Sequence, residues 1–243
     1  MLYFPLPMEH EIIELDEIDS TNDELRRMAE KGARHFTIVS AKKQTRGKGR
    51  YSRTWDSPEG NLYLSVLIKN AKFENAYQLS FVAGLAALDM IQTLLPTHNI
   101  QLKWPNDVLA DGKKVAGILL ESASSQSGKL EYLIVGFGVN VKVSPEYATN
   151  MKLLGNKQPF RDIKKHLIDN FEKFYTLWLE EGFGRIGDLW LRNAAYIGEK
   201  IRVNLPEKEL EGIFRGLTPT GELILETADG ERLISSGEVY ALV

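Results

Sequence analysis

With 243 residues, 43% of them hydrophobic and 26% charged, and a net charge of −3, the chain has the make-up of a globular protein whose overall surface does not suit nucleic acid. The absence of cysteine excludes disulfides, thiolate metal sites and thiol nucleophiles. The four histidines (His10, His35, His98, His166) lack zinc-ligand spacing, Pro5 and Pro7 interrupt the only signal-peptide candidate, and no apolar run approaches about 18 residues, so a cytoplasmic chain without a membrane span is expected.

His10 to Glu17 reads as a first strand, carried by Ile12, Ile13 and Leu15. Asp19-Ser20-Thr21-Asn22 then offers N-cap residues for a short helix that stops at Gly32. Phe36 to Ala41 and Asn61 to Ile68 read as strands. Asn75 to Leu95 predicts a helix, with Leu79, Val82, Ala83, Ala86, Met90 and Leu94 as a core-facing stripe. Ile100 to Trp104, Val115 to Glu121 and Leu130 to Val139 predict neighbouring strands, separated by turn signals at Asn106-Asp107, Asp111-Gly112 and Ser127-Gly128. Phe160 to Glu181 and Phe183 to Ala195 predict helices. Beyond Ala195 the texture changes to short alternating runs, Lys200 to Leu205, Leu210 to Leu217, Gly221 to Thr227 and Glu231 to Ser235. They predict a small β-barrel of roughly 45–50 residues that needs support from the rest of the chain. The expected class is α+β, with a sheet and packed helices over residues 1–194 and an all-β module over residues 195–243.

Between the second and third strands lies a basic segment: Lys42, Lys43, Arg46, Lys48, Arg50 and Arg53, with no acid among them. Gly47-Lys48-Gly49-Arg50-Tyr51-Ser52 is close to the dinucleotide pattern but precedes a strand rather than opening a helix, and it is not a Walker A loop. Glycines admit a ligand close to the backbone, cations bind oxyanions, and Trp55 offers an aromatic face for a base. A phosphate or nucleotide ligand, a nucleic-acid backbone and a solvated turn all remain open on the loop alone.

Four segments in series narrow the choice. Asp19-Ser20-Thr21-Asn22, the run Gln44 to Trp55 (QTRGKGRYSRTW), Lys103-Trp104-Pro105-Asn106-Asp107 with Lys114-Val115-Ala116-Gly117-Ile118-Leu119, and Gly136-Phe137-Gly138-Val139-Asn140 together resemble the catalytic region of biotin–protein ligases. The resemblance runs from about Leu15 to Asn140, and the small β module matches the family's layout. It implies a mixed sheet with packed helices of the class II aminoacyl-tRNA synthetase-like kind, followed by an SH3-like β-barrel. It also implies formation of biotinyl-adenylate from biotin and ATP with Mg2+, and transfer of biotin to a lysine of the biotin carboxyl carrier protein of acetyl-CoA carboxylase or a related carboxylase.

By the same resemblance, Ser20, Thr21, Asn22 and Gln44 hold biotin's polar ring groups, while Gly47, Lys48, Gly117, Leu119, Gly136 and Gly138 shape its slot. Arg50 and Lys114 contact the carboxylate and α-phosphate, Lys103 adds a cation, and Lys48 and Arg53 help close the loop. Trp55 stacks on adenine, Asn106 and Asn140 bind the nucleotide, and Asp107 orients the attacking lysine. The magnesium ligands are not assigned. Each role has a structural rival: helix capping for Ser20 and Thr21, tight packing for Gly117, Gly136 and Gly138, core for Trp104 and Phe137, and a surface stem for Lys103.

Two features depart from the commonest family pattern. The loop usually reads Gly-Arg-Gly-Arg-Arg-Gly-Arg, whereas here Lys48 and Tyr51-Ser52 replace Arg and Arg-Gly; serine at 52 fits only if the loop needs no positive φ there. The catalytic sequence also begins within the first twenty residues, leaving no room for a helix-turn-helix, so DNA binding is not expected. Edge strands offer a route to a homodimer, and Val141 to Pro159 is expected to order over adenine. The rival functions are a lipoate–protein ligase or octanoyltransferase and a non-catalytic biotin sensor.

Overall fold

The computed structural model describes residues 10–69, 73–124 and 130–242. In chain order the elements are β1 (Ile12–Ile18), α1 (Thr21–Glu30), β2 (Ile38–Gln44), β3 (Leu62–Lys69), α2 (Leu79–Leu94), β4 (Ile100–Lys103), β5 (Asp107–Ala110), β6 (Lys113–Ser124) and β7 (Leu130–Val139). They continue as α3 (Phe160–Glu181), α4 (Phe183–Arg192), β8 (Lys200–Asn204), β9 (Glu209–Leu217), β10 (Leu223–Thr227), β11 (Gly230–Ile234) and β12 (Glu238–Ala241). A mixed seven-stranded sheet runs β1-β2-β3-β7-β6-β5-β4, and a five-stranded antiparallel sheet runs β11-β10-β9-β8-β12. Among the described residues no helix is long and apolar enough to cross a membrane.

The chain divides into two compact units, residues 1–76 with 119–138, and residues 77–118 with 139–243. In the first, β1 pairs parallel to β2, and β2 antiparallel to β3. Every residue from Leu62 to Ile68 is buried, as a strand covered on both faces requires, which explains its unbroken apolar run. Helix α1 packs Leu25 and Ala29, one turn apart, into a cluster with Val39, Leu67, Tyr132 and Ile134.

In the second unit α2 is buried on nearly every side, from Leu79 to Ile91, so it is a core helix and not the one-sided stripe expected. Its first expected turn is a 3-10 segment, Phe73–Gln78. Phe81 meets Phe183 and Trp190 edge-on at 5.2 and 5.3 Å between ring centroids. The five-stranded sheet is anchored here: the Leu102 N–H donates to Asn193 O and the Ala195 N–H to Leu102 O, both at 2.8 Å, and Trp104 Nε1 donates to Gly221 O at 3.4 Å. This supplies the support that a β module of that size needs.

Strands β5 and β12 were not expected. Asn106-Asp107 reads as a turn in the sequence, but Asp107 opens β5, while Asp111-Gly112, both at positive φ, closes the β5–β6 hairpin as a primed turn demands. The expected turn at Ser127-Gly128 lies outside the described residues.

Candidate active site

The residues singled out in the sequence fall into two groups, one in each unit. In the first unit, the segment Thr45–Thr54 and residues Leu119–Glu121 line a cleft of about 680 Å3. The basic segment is a narrow hairpin: Lys48 and Thr54 bridge, and the Gly49 N–H donates to Arg53 O at 2.7 Å. Its tip is a 3-10 turn, Arg50–Ser52, in which Tyr51 (φ 55°) and Ser52 (φ 58°) are both left-handed. The condition set on serine at 52 is therefore not met: the loop does use a positive φ there, and Ser52 adopts it. The Arg50 guanidinium lies 4.8 Å from the centroid of the Tyr51 ring.

Ser20 precedes α1 but makes no side-chain cap bond. The Thr21 N–H instead donates to Gln44 Oε1 at 2.8 Å, and the Thr21 hydroxyl reaches the same oxygen at 3.1 Å. Capping alone thus does not account for Ser20, and a glutamine from β2 takes over the helix terminus. Gln44 Nε2 continues to Ser57 Oγ at 3.0 Å. Asn22, 4% exposed, receives a bond from the fully buried Ser65 hydroxyl at Oδ1 (2.6 Å) and gives one from Nδ2 to Glu121 Oε2 (2.8 Å).

Three of the glycines are dictated by packing. A Cβ at Gly47 would lie 2.3 Å from Ser57 Oγ and Trp55 O, one at Gly136 would lie 2.4 Å from Asn22 Oδ1, and one at Gly138 would lie 2.6 Å from the Trp55 ring. Lys48 is held by acids: its Nζ lies 2.5 Å from Asp23 Oδ1 and 3.8 Å from Glu121 Oε1, and Arg26 bridges the same two carboxylates at 2.9 Å each. Behind the loop, Asp19 is held far below the usual carboxylate range, chiefly by hydrogen bonding from Arg27.

The second unit groups Lys103, Asn106, Asp107, Lys114, Gly117 and Asn140. Lys103, Asp107 and Gly117 are opposite one another across β4, β5 and β6, hence on one face. In regular pairing Lys114 would face the other way. A bulge makes Val115 the extra residue, so Lys114 pairs with Leu109 and turns to the face of Asp107, where Nζ meets Oδ1 at 2.6 Å. That oxygen is sealed from solvent, and the lysine compensates its charge. Both asparagines hold backbone together: Asn106 Nδ2 donates to Ile118 O (2.7 Å) and Asn140 Nδ2 to Thr149 O (3.1 Å). Trp104 and Phe137 are buried in the core.

Sequence reasoning missed Ser65, Asp23 and Glu121. Ser65 had a signal, being the one small polar residue inside the apolar run Leu62 to Ile68. Glu121 had none, since its partners Asn22, Arg26 and Lys48 are remote in sequence, and Asp23 showed only its local i,i+3 pairing with Arg26.

The model of the biotin/lipoate A/B protein ligase family matches residues 15–140, and that of the biotin protein ligase C-terminal domain matches residues 196–241. A biotin–[acetyl-CoA-carboxylase] ligase of Paracoccus denitrificans is 35% identical over 234 residues, covering 91% of this chain and 97% of the relative. The bifunctional ligase/repressor BirA of Bacillus subtilis is 32% identical over 243 residues, 96% of this chain and 74% of its own length. The structure of biotin protein ligase from Aquifex aeolicus in complex with biotin and ATP superposes with a TM-score of 0.82 at 31% identity, covering 95% of this chain and 97% of that one. The motifs that carried the resemblance sit inside the first matched segment and the five-stranded sheet inside the second, and by descent as well as by fold the chain belongs to the biotin/lipoate A/B protein ligase family.

Proposed function

We propose that this chain is a biotin–protein ligase that joins biotin to ATP as biotinyl-5'-AMP, releasing diphosphate, and then passes biotin to a lysine of a carboxylase carrier domain, releasing AMP. The observation that carries the reading is the near end-to-end similarity to a biotin–[acetyl-CoA-carboxylase] ligase. The chemistry agrees. Attack of a carboxylate on an α-phosphate brings two anions together, so the site has to supply cations and N–H donors more than a strong base.

In this reading Ser20, Thr21, Asn22 and Gln44 bind the ureido end of biotin, and Gly47, Lys48, Gly117, Leu119, Gly136 and Gly138 shape its slot. Arg50, Lys103 and Lys114 neutralise the carboxylate and phosphate oxygens, and Arg53, Trp55, Asn106 and Asn140 bind the nucleotide. Asp107 accepts a proton from the incoming lysine, whose ammonium, with a reference pKa of about 10.4, must become an amine before it attacks. The Asp107–Lys114 pair supports this role, because it sets a carboxylate beside a cation suited to phosphate. Among the described residues no group of three or more His, Cys, Asp or Glu is arranged to hold a metal. Magnesium therefore belongs, in this proposal, to the oxygens of ATP. Residues 1–194 form the catalytic domain and residues 195–243 its β appendage. The ATP requirement supports a cytoplasmic location, and the edge strand β1 is where a homodimer contact would form.

The test is AMP release by the purified protein with MgATP and a biotin carrier domain, with biotin or lipoate supplied in parallel. Biotin-dependent AMP with a matching mass gain on the carrier is the expected result. AMP with lipoate alone would move the chain to the lipoate branch, and no AMP with either would make it a sensor.

A further inference from the structure

Glu121 lines the cleft from β6, two positions beyond Leu119 and on the same face of the strand. Its two oxygens serve different partners. Oε2 accepts from Asn22 Nδ2 at 2.8 Å, while Oε1 accepts from Arg26 at 2.9 Å and lies 3.8 Å from Lys48 Nζ. Arg26 and Lys48 also share Asp23 Oδ1, at 2.9 and 2.5 Å, so two cations and two carboxylates close one network beside the start of α1. The other end of the Asn22 amide accepts from the Ser65 hydroxyl at 2.6 Å, in space that a Cβ on Gly136 would fill.

We propose that Glu121 is a positioning residue for biotin, setting the direction of the Asn22 amide so that an N–H is ready for the ureido oxygen; this rests on the reading of Asn22 as a biotin contact. The two ends of a primary amide have nearly the same shape and opposite chemistry, donors on nitrogen and an acceptor on oxygen. A carboxylate only accepts, so Glu121 takes the nitrogen end and leaves Oδ1 to the Ser65 proton. Turned about, the amide would set two acceptors against each other in a half-buried place. Nδ2 carries two N–H bonds; Glu121 takes one, and the second is the one a ureido oxygen can accept. Arg26 and Lys48 hold the other carboxylate oxygen, so Glu121 cannot turn away from the amide. A donor fixed before binding costs less to order when the ligand arrives.

The test is biotin-dependent ATP–pyrophosphate exchange by the full chain, with KM measured separately for biotin and for MgATP. Glu121→Ala is expected to raise KM for biotin about tenfold, the strength of one hydrogen bond to a charged group, with KM for MgATP little changed. A variant that is merely less stable loses active molecules and hence apparent kcat, while its KM stays. Glu121→Gln keeps an acceptor for the amide N–H and is expected to recover most of the wild-type KM. In an Asn22→Ala background, Glu121→Ala should add nothing. An unchanged biotin KM in Glu121→Ala, an equal rise in both KM values, or the same rise in both backgrounds would overturn the positioning role and leave the ligase reading intact. A wild-type biotin KM in Asn22→Ala alone would remove the biotin contact of Asn22, and the proposal with it. Absence of exchange in the wild-type protein would instead count against the ligase reading itself.

Discussion

At the tip of the basic loop two side chains occupy backbone space that costs an L-residue about 1–2 kcal/mol. Ser52 tolerates φ 58° because it is small and unbranched; a β-branched residue does not. Ser52→Val is expected to open the turn and speed trypsin cleavage after Arg50 and Arg53 several-fold, while Ser52→Gly cleaves no faster than wild type; equal rates for all three would show that the turn does not hold the loop. Gly138 faces a different constraint, a Trp55 ring with no room for a methyl group. Gly138→Ala is expected to displace the indole, changing its fluorescence, and to cost about 1–3 kcal/mol in urea unfolding. Single residues also show how far the sequence can be read. Of Ser20, Thr21, Asn22 and Gln44, the structure joins Thr21 to Gln44 directly and brings Asn22 beside Thr21 through the Ser65 hydroxyl. Whether a glycine serves ligand or packing was not legible, because that depends on Ser57, Asn22 and Trp55 arriving from other elements.

Elements were legible where local signals and tertiary burial agreed. Helix α3 spans Phe160–Glu181 as expected, between Pro159 and Gly182, because its apolar periodicity and its stop signals coincide. Helix α2 lost its expected first turn, and the four-residue strands β5 and β12 carried no local signal, β5 because its opening Asp107 follows Asn106 as a turn pair does. A different element-level device joins the β4–β5 region to the segment after β7. His98 Nδ1 meets Asp111 Oδ2 at 2.6 Å and Nε2 meets Leu154 O at 3.0 Å. A carbonyl can only accept, so Nε2 must carry a proton, and the ionised carboxylate takes the one on Nδ1; both bonds together describe the imidazolium. Hydrogen bonding to Asp111 raises the His98 pKa above its ordinary value. The associated stabilisation is then fully present below about pH 6.5, the unfolded value, and is lost as pH rises through the higher folded value. Proteolysis within residues 141–158 should therefore accelerate as pH rises through that range, and His98→Gln should make the rate independent of pH there. A wild-type rate that ignores pH would discard the latch.

On the scale of the whole molecule, chain order and compactness do not coincide. The compact units cut across chain order: the five-stranded sheet groups with α2, α3 and α4, and residues 119–138 group with the first three strands. No local pattern announces this, because the grouping is set by long-range pairing. Gly221 marks how closely the C-terminal module is fitted: at φ 90° its missing Cβ would lie 3.0 Å from Phe81 and 3.1 Å from Phe183. Gly221→Val is expected to cost about 2 kcal/mol or more and to lower the melting temperature by several degrees in one cooperative transition. A separate early transition for the module would show that it unfolds alone.

The extra residue in β6 also changes what conservative design means for this sheet. Along the chain Lys114 and Gly117 are three positions apart, but across β5 they face Leu109 and Asp107, which are only two apart. Straightening the strand with Val115 kept in register would keep every amino acid and still turn the ammonium to the far side of the sheet. A redesign that straightened the hairpin would have to move its lysine to position 115 to keep the charge beside Asp107.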